Sequence, residues 1–304
     1  MVYNGKAVYP LIWEVSNRGK TILISALHYL HYAKGHTHAA FHSNWGAWLN
    51  KLSFSLAHFG MTTTVMLAKR WIGIKDKITR KQIRYAIRNG KSIYTISPSL
   101  FPKPDDWGEN LKVLGYHRRK KAADWSPAKD LLDFIENHKR ILFITFGSMI
   151  NPEPEEKTKV IIDILERNRI PAIINTASGG LYEPGRYDSG LIHFVSEIPY
   201  DRILPKIYGV IHHGGSGTTH LAVQYGCVTM AIPHIIDQFV WDKIIAHLGV
   251  GPRGIKIGKI STQNLEPKIL ALVDNRAFKK KAEQMGRQMM QEDFQEDLYN
   301  SIVE

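Results

Sequence analysis

The sequence predicts an α/β fold whose strands are wound in parallel through right-handed βαβ connections. Three observations carry that prediction. From residue 140 onward, short apolar runs alternate with amphipathic segments of helical length. The run at 209–213 passes through Gly214-Gly215-Ser216-Gly217-Thr218-Thr219 into an amphipathic segment from His220 to Tyr225, giving a strand, a glycine-rich turn and a helix start. A second apolar run, 227–233, is followed by Asp237-Gln238 at its C-terminal end, the edge of an open α/β sheet where ligands bind.

Taken in order, residues 1–116 are aromatic, His-rich and basic, with poor periodicity. Residues 118–139 are polar and read as an interdomain linker, with Ser126-Pro127 as an N-cap followed by proline at the first helical position. The segment ILFITFGSM at 141–149 reads as a buried strand, 155–168 as a helix, and PAIINTA at 171–177 and LIHFVSEI at 191–198 as further strands. DRILPKI at 201–207 reads as a short helix, and GVIHH and CVTMAIP as two more strands, separated and followed by helices. Residues 258–275 and 278–304 read as terminal helices, the second with Phe294, Leu298, Tyr299 and Ile302 at helical spacing.

Composition narrows the class. A chain of 304 residues with 44% hydrophobic content can bury one large or two modest cores. The single cysteine, Cys227, excludes an internal disulfide framework and a cysteine-based zinc site, and its apolar run predicts burial. The longest apolar runs, 21–27 and 141–150, are strand-sized, and the N-terminal residues lack the order of a signal peptide. A reducing cytosol is the expected compartment. The net charge of +12 and pI of about 9.6 imply affinity for anionic surfaces. Nine Lys or Arg and one acid, Asp76, lie between Lys69 and Lys91, and 117–121 forms a second basic cluster. Ile78, Ile83 and Ile87 among these charges leave two readings open: a basic amphipathic helix on a membrane surface, or a solvated helix with its isoleucines in the core. No nucleic-acid module accompanies the charge, so no nucleic acid is expected as a partner.

The turn after 209–213 suits an anion. The first N–H groups of a helix lack partners and face the positive end of its dipole. Glycines admit a phosphate where a Cβ would block it, Ser216, Thr218 and Thr219 offer hydroxyls, and His213 offers an imidazole N–H. A diphosphate fits, although an ordinary strand-to-helix turn would also use these residues. The turn has no third glycine for a dinucleotide fingerprint and no Gly-Lys-Ser/Thr for a P-loop. His212 and His213 also read as a structural pair, and Asp237 as a helix N-cap. His28, His31, His36, His38 and His42 share no periodicity that would align three as metal ligands, and read as scattered surface or cleft histidines.

HHGGSGTT, with Gly226, Pro233 and DQ-x-x-W after it, resembles the donor-binding signature of the GT-B glycosyltransferases that use UDP-sugars. Similarity is strongest to the sterol glucosyltransferase branch and the bacterial enzymes that glycosylate lipids and antibiotics. It extends to Phe146-Gly147-Ser148, to FVSEIPYDRILPKI and to LGVGPRGI, in the family's order. VYNGKA, WLNKLSFSL and PSLFPKPDDWGENLKVLGYH resemble more weakly parts of the family's N-terminal domain, so the chain is expected to begin partway through that domain.

The resemblance implies a GT-B type fold: a truncated N-terminal acceptor-side domain at 1–117, a linker at 118–139, a complete Rossmann-like nucleotide-sugar domain at 140–275, and C-terminal helices at 276–304 packing toward the first domain. It implies that Ser148, His213, Gly215, Ser216, Gly217 and Thr218 hold the donor diphosphate, that Val195, Ser196, Ile198 and Pro199 cover the nucleoside, and that Asp237 and Gln238 hold sugar hydroxyls. Tyr200 departs from the family, whose sterol-type members commonly have histidine there.

The implied reaction is inverting transfer of a hexose from a UDP-sugar to a hydroxyl of a lipid-like or other small hydrophobic acceptor, with no metal and no cofactor beyond the donor. The family's base, a histidine oriented by an aspartate early in the N-terminal domain, has no matching segment here. The chain alone is therefore expected to bind a uridine nucleotide and transfer sugar poorly. Expected partners are the donor, the acceptor, an anionic membrane surface, and either another copy or a complementary N-terminal chain; the expected location is cytoplasmic, peripheral on a membrane. Two rivals are a non-catalytic nucleotide-sugar-binding or membrane-docking subunit, and a sugar-nucleotide epimerase, which needs an acid/base pair where only Asp237 is found.

Overall fold

Apolar runs of three or four residues become strands, and every pairing among the described residues is parallel. The structure, a computed structural model, describes residues 1–4, 7–41, 44–118, 125–151 and 153–303. Expectations that fall on Gly5, Lys6, His42, Arg119, Lys120, Lys121 and Glu304 lie outside the described residues. The chain divides into two units, one of residues 1–117 and 292–304 and the other of residues 118–291.

In the first unit the elements run β1 (Val2–Asn4), α1 (Tyr9–Asn17), β2 (Ile22–Ser25), α2 (Ala47–Trp71), α3 (Arg80–Asn89), β3 (Lys91–Tyr94) and β4 (Leu111–Val113). Their sheet has the order β1-β2-β3-β4. Proline in the first turn of α1 and a left-handed Arg18 after it set that helix's limits. Thr79 and Gln82 close a reciprocal capping box that starts α3. Ile78, Ile83 and Ile87 then bury beside Leu11, Ile12, Leu23 and Val65. Of the two readings of this basic helix, the core reading is the one observed, and its isoleucines have no face to offer a membrane. Of the histidines expected on the surface or in a cleft, two are internal: His28 stacks on Phe101 with ring centroids 4.2 Å apart, and His31 Nδ1 lies 2.5 Å from the Tyr94 hydroxyl. Both are buried.

The second unit continues with α4 (Lys129–Asn137), β5 (Leu142–Thr145), α5 (Pro154–Arg167), β6 (Ala172–Asn175), β7 (Ile192–Val195), α6 (Tyr200–Ile203), β8 (Gly209–His212), α7 (Ser216–Gln224), β9 (Val228–Ala231), α8 (Gln238–Leu248), α9 (Thr262–Asp274) and α10 (Arg276–Met290). Sheet order is β7-β6-β5-β8-β9. Every residue of β5, β6, β8 and β9 is buried, the pattern of strands covered on both faces. Leu131 and Phe134 of α4 sit in this unit's core with Phe143, Val210 and Cys227, and burial pushes the Cys227 thiol up to about 12. The loop after α8 lies flat along β9. A Cβ on Gly251 would come within 1.8 Å of the Thr229 carbonyl oxygen, and one on Gly254 within 1.5 Å of that of Ala231. Buried Asp242 fixes this loop by accepting from Gly254 N–H at 2.7 Å and Arg253 Nε at 2.8 Å.

The segment 278–304, expected as one helix, is two. After α10 the chain breaks, and Glu292 accepts from the Ser97 hydroxyl at 2.7 Å, the Ser99 hydroxyl at 2.6 Å and Ser99 N–H at 3.1 Å. The following α11 (Gln295–Val303) belongs to the first unit, where Phe294, Leu298 and Ile302 pack on Ile22, Ile93 and Leu114. Tyr299 is exposed. Among the described residues no helix is long and apolar enough to cross a membrane.

Candidate functional site

The five strands of the second unit end in register. Val195 pairs Asn175, Asn175 pairs Thr145, Thr145 pairs His212 and His212 pairs Ala231. Five loops therefore leave along one row at the carboxyl edge, and the winding reverses between adjacent β5 and β8, where an open α/β sheet forms its crevice.

Two of these loops meet at His213. After β5 the chain turns through Phe146, Gly147 at φ +58° and exposed Ser148; after β8 it turns through His213, Gly214 at φ +89° and Gly215. A Cβ on Gly147 would lie 2.9 Å from His213 Cε1, and one on Gly215 would lie 2.3 Å from its Nε2. The imidazole thus occupies the space two glycines leave. From Gly215 the chain enters α7, whose first recorded i→i−4 bond runs from Thr219 N–H to the Gly215 carbonyl at 3.0 Å. The amides of Ser216, Gly217 and Thr218 precede that bond and lack intrahelical acceptors. No side chain caps this helix. Thr219, expected to offer a hydroxyl, is fully buried and spends it on the Gly215 carbonyl at 2.9 Å. This leaves Ser216 and Thr218 as the hydroxyl donors of the turn.

The histidines divide into holders and presenters. His212 is fully buried, and its Nδ1 accepts Gly214 N–H at 3.0 Å, which fixes the turn and puts the ring proton on Nε2. Burial pushes its pKa down to about 3, with the neighbouring His213 adding to the effect. His220 Nδ1 lies 2.7 Å from the Ser216 carbonyl and is likewise internal. His213 is half-buried; desolvation, then the charge of His234, push it down to about 4, so its ring is neutral near pH 7. Its Nδ1 has no hydrogen-bond partner among the described residues. His234, which sequence reasoning missed, faces Phe146 edge-on at 4.9 Å. Its Nδ1 donates to the Ile232 carbonyl at 2.9 Å, so Nε2 is an unpartnered acceptor, and burial lowers its pKa. Its position three residues before Asp237, just after a strand-ending proline, was the available signal.

Gly214 ties this turn to the next loop, since a Cβ there would come within 3.0 Å of the Gln238 carbonyl oxygen. Asp237 occupies the N-cap position of α8 but makes no side-chain capping bond, so the capping reading does not account for its carboxylate. Gln238 is buried, and its side-chain oxygen accepts from His234 N–H at 2.6 Å and Ile235 N–H at 3.1 Å. Only its amide nitrogen is left for a ligand.

Of the four residues expected around the nucleoside, Ile198 turns inward and joins the core cluster with Ile203, Leu204 and Ile207. Val195 and Pro199 are half-buried and Ser196 is exposed. Tyr200 closes a polar network beneath this rim: its hydroxyl lies 2.8 Å from Thr145 Oγ1 and accepts from Asn175 Nδ2 at 3.5 Å. Among the described residues no group of three His, Cys, Asp or Glu side chains is arranged to hold a metal.

A family profile described as the C-terminal domain of erythromycin biosynthesis protein CIII-like proteins matches residues 189–304. A sterol 3-beta-glucosyltransferase of Arabidopsis thaliana is 32% identical over 240 residues, 73% of this chain and 37% of the relative. One from Komagataella phaffii is 30% identical over 212 residues, 66% of this chain and 17% of the relative. The chain thus spans little more than a third, or less, of these relatives' lengths. Among solved structures, the glycosyltransferase of kitacinnamycin superposes with a TM-score of 0.69 at 12% identity, over 95% of this chain and 70% of that one. The calicheamicin glycosyltransferase CalG4 gives 0.68 at 14% identity, over 99% of this chain and 72% of that one. Residues 189–304 therefore carry a CIII-like C-terminal glycosyltransferase domain, and the chain is a homologue of the sterol 3-beta-glucosyltransferases with the fold of GT-B glycosyltransferases.

Proposed function

We propose that the second unit binds a UDP-sugar and that the reaction it serves is inverting transfer of a hexose to a hydroxyl of a sterol-like or other small hydrophobic acceptor. The observation that carries this reading is the meeting of the uncapped start of α7 with the His213 ring between Gly147 and Gly215. The diphosphate lies against the amides of Ser216, Gly217 and Thr218, with hydroxyls from Ser216 and Thr218, an imidazole N–H from His213, and Ser148 approaching from the β5 turn. Val195, Ser196 and Pro199 border the nucleoside, with Ile198 contributing through its backbone. Asp237 accepts from sugar hydroxyls while the Gln238 amide donates to one.

During transfer the acceptor hydroxyl gives up its proton to a general base as its oxygen attacks C1 of the sugar from the face opposite the nucleotide, the C1–O bond to the diphosphate breaks, and the departing oxygen gains negative charge. Donors already aimed at that oxygen stabilise the transition state without reorganising. A neutral His213 gives a proton in a hydrogen bond and retains it. Its low pKa in the free site is raised by an adjacent diphosphate, so binding draws the ring toward the cation that stabilises the leaving group most.

Calorimetric titration with UDP, TDP and GDP, beside the His213→Ala variant, tests the donor reading; UDP binding that ignores this substitution would overturn it. Formation of sterol glucoside and UDP from UDP-glucose tests the transfer reading separately.

A further inference from the structure

Helix α2 carries an apolar face that the described residues leave open. Trp48, Leu52, Leu56, Phe59, Leu67 and Trp71 are all exposed, with Trp48 at 74%, Phe59 at 57% and Trp71 at 83%. At about 100° per residue these six fall within an arc of about 140°. The opposite side buries Phe54, Thr62 and Val65. At about 1.5 Å per residue the stripe runs nearly the full length of a 25-residue helix. Exposed apolar side chains gathered along one face of a helix on that scale mark a place of contact.

The charges around the stripe identify the contact. No Asp or Glu lies between Glu14 and Asp76, a stretch that holds seven Lys or Arg. Lys51 lies beside Trp48 and Leu52 at the start of the stripe, and Lys69 and Arg70 precede Trp71 at its end. At its middle, Arg80 Nη1 donates to Thr63 Oγ1 at 3.4 Å. A second copy docked face to face would bring these cations against their own equivalents, because a two-fold contact pairs a patch with itself. Tryptophan at both ends, leucine and phenylalanine between them and cations alongside are the features of a helix lying in a membrane interface, its indoles at headgroup depth and its basic groups on lipid phosphates.

We infer that α2 lies flat on an anionic phospholipid bilayer, with the face from Trp48 to Trp71 in the headgroup and acyl boundary and with Lys51, Lys69, Arg70 and Arg80 on the phosphates. This helix is not α3, whose isoleucines are internal. The inference is independent of the donor reading, because its residues all lie in the first unit.

Flotation of the full chain with phosphatidylcholine vesicles, with and without phosphatidylglycerol, tests it. The expected result is salt-sensitive binding that requires phosphatidylglycerol and falls at least about tenfold in Leu56→Glu/Phe59→Glu. Lys51→Gln and Arg70→Gln are each expected to weaken binding about fivefold. Unchanged circular dichroism and UDP titration in the same variants separate this outcome from misfolding and from failure of the donor site. Brominated lipid should quench the tryptophan emission of the unmodified chain, and less so after Trp48→Phe or Trp71→Phe. Absence of flotation, absence of quenching, or binding by a folded Leu56→Glu/Phe59→Glu variant would each overturn the inference. So would a dimer that this double substitution dissociates, which would assign the face to a second copy.

Discussion

The two sheets differ in the order of their strands, and the ends of those strands differ with it. In the first unit the strands follow one another in sequence, β1-β2-β3-β4, whereas in the second the order β7-β6-β5-β8-β9 reverses at the centre. Where it reverses, the helices that follow β5 and β8 are led to opposite faces and a crevice opens at the turns that precede them. His213, Gly147 and Gly215 sit in that crevice. The ends of β2 and β3, by contrast, are filled from within: Thr95 N–H donates to the Ser25 carbonyl at 2.8 Å, and Tyr94 is fully buried against His31. Similar strands thus end at an open crevice in one case and at a filled edge in the other.

The most severe test of this contrast is Gly215→Val, whose Cβ alone would displace the His213 ring. UDP affinity measured by calorimetry should fall at least about 100-fold, counting the loss of a charge-assisted contact and of the fit around it. Ser25→Ala, at the end of β2, should leave that affinity unchanged. Next in size is His213→Ala, expected to weaken UDP about tenfold to 100-fold for one hydrogen bond to a charged group.

Acidity sharpens the comparison further. Each unit contains a histidine that desolvation keeps neutral, buried His31 at about 4 in the first and half-buried His213 at about 4 in the second. Their folded-state pKa values lie below the unfolded value of about 6.5, so the unfolded chain takes up protons first as pH falls. Stability is complete above about pH 6.5 and declines toward pH 4, by about 3 kcal/mol for His31 alone. Thermal unfolding followed across this range should show the decline. The two rings should respond differently to ligand: in an NMR titration UDP should raise the His213 midpoint and leave that of His31 in place. By linkage, UDP should bind more tightly as pH falls from 7 toward the raised midpoint. The smallest effect is expected from Tyr200→Phe, which removes one hydroxyl from Thr145 and Asn175 and should cost about 1 kcal/mol in denaturant unfolding.

The second unit was legible in the sequence because fully buried parallel strands are uninterrupted apolar runs between helices, and each run expected there corresponds to a strand. The first was not, for physical reasons. Its outer strands have three residues each, too few to show a period. Within α2 the run Thr62-Thr63-Thr64 looks unlike a helix, yet each hydroxyl donates to the carbonyl four residues earlier, on His58, Phe59 and Gly60. Charge density pointed to α3 as the surface helix, while the exposed apolar side chains belong to α2, whose orientation depends on what packs beneath it. In the site, His213, Gly215 and the α7 residues followed from the turn chemistry. His234, the inward Ile198 and the committed oxygen of Gln238 required knowing which neighbours fold beside them.

Gly251 and Gly254 matter beyond the loop that contains them. Lacking side chains, they let their segment press onto the last strand's main chain, and Thr229 N–H donates to the Val250 carbonyl at 3.0 Å. A side chain at either would lift the segment and bare a ladder of amides and carbonyls, the kind of template along which foreign strands polymerise. Two hydrogen atoms in place of methyl groups therefore act as the seal that keeps this border from recruiting another molecule.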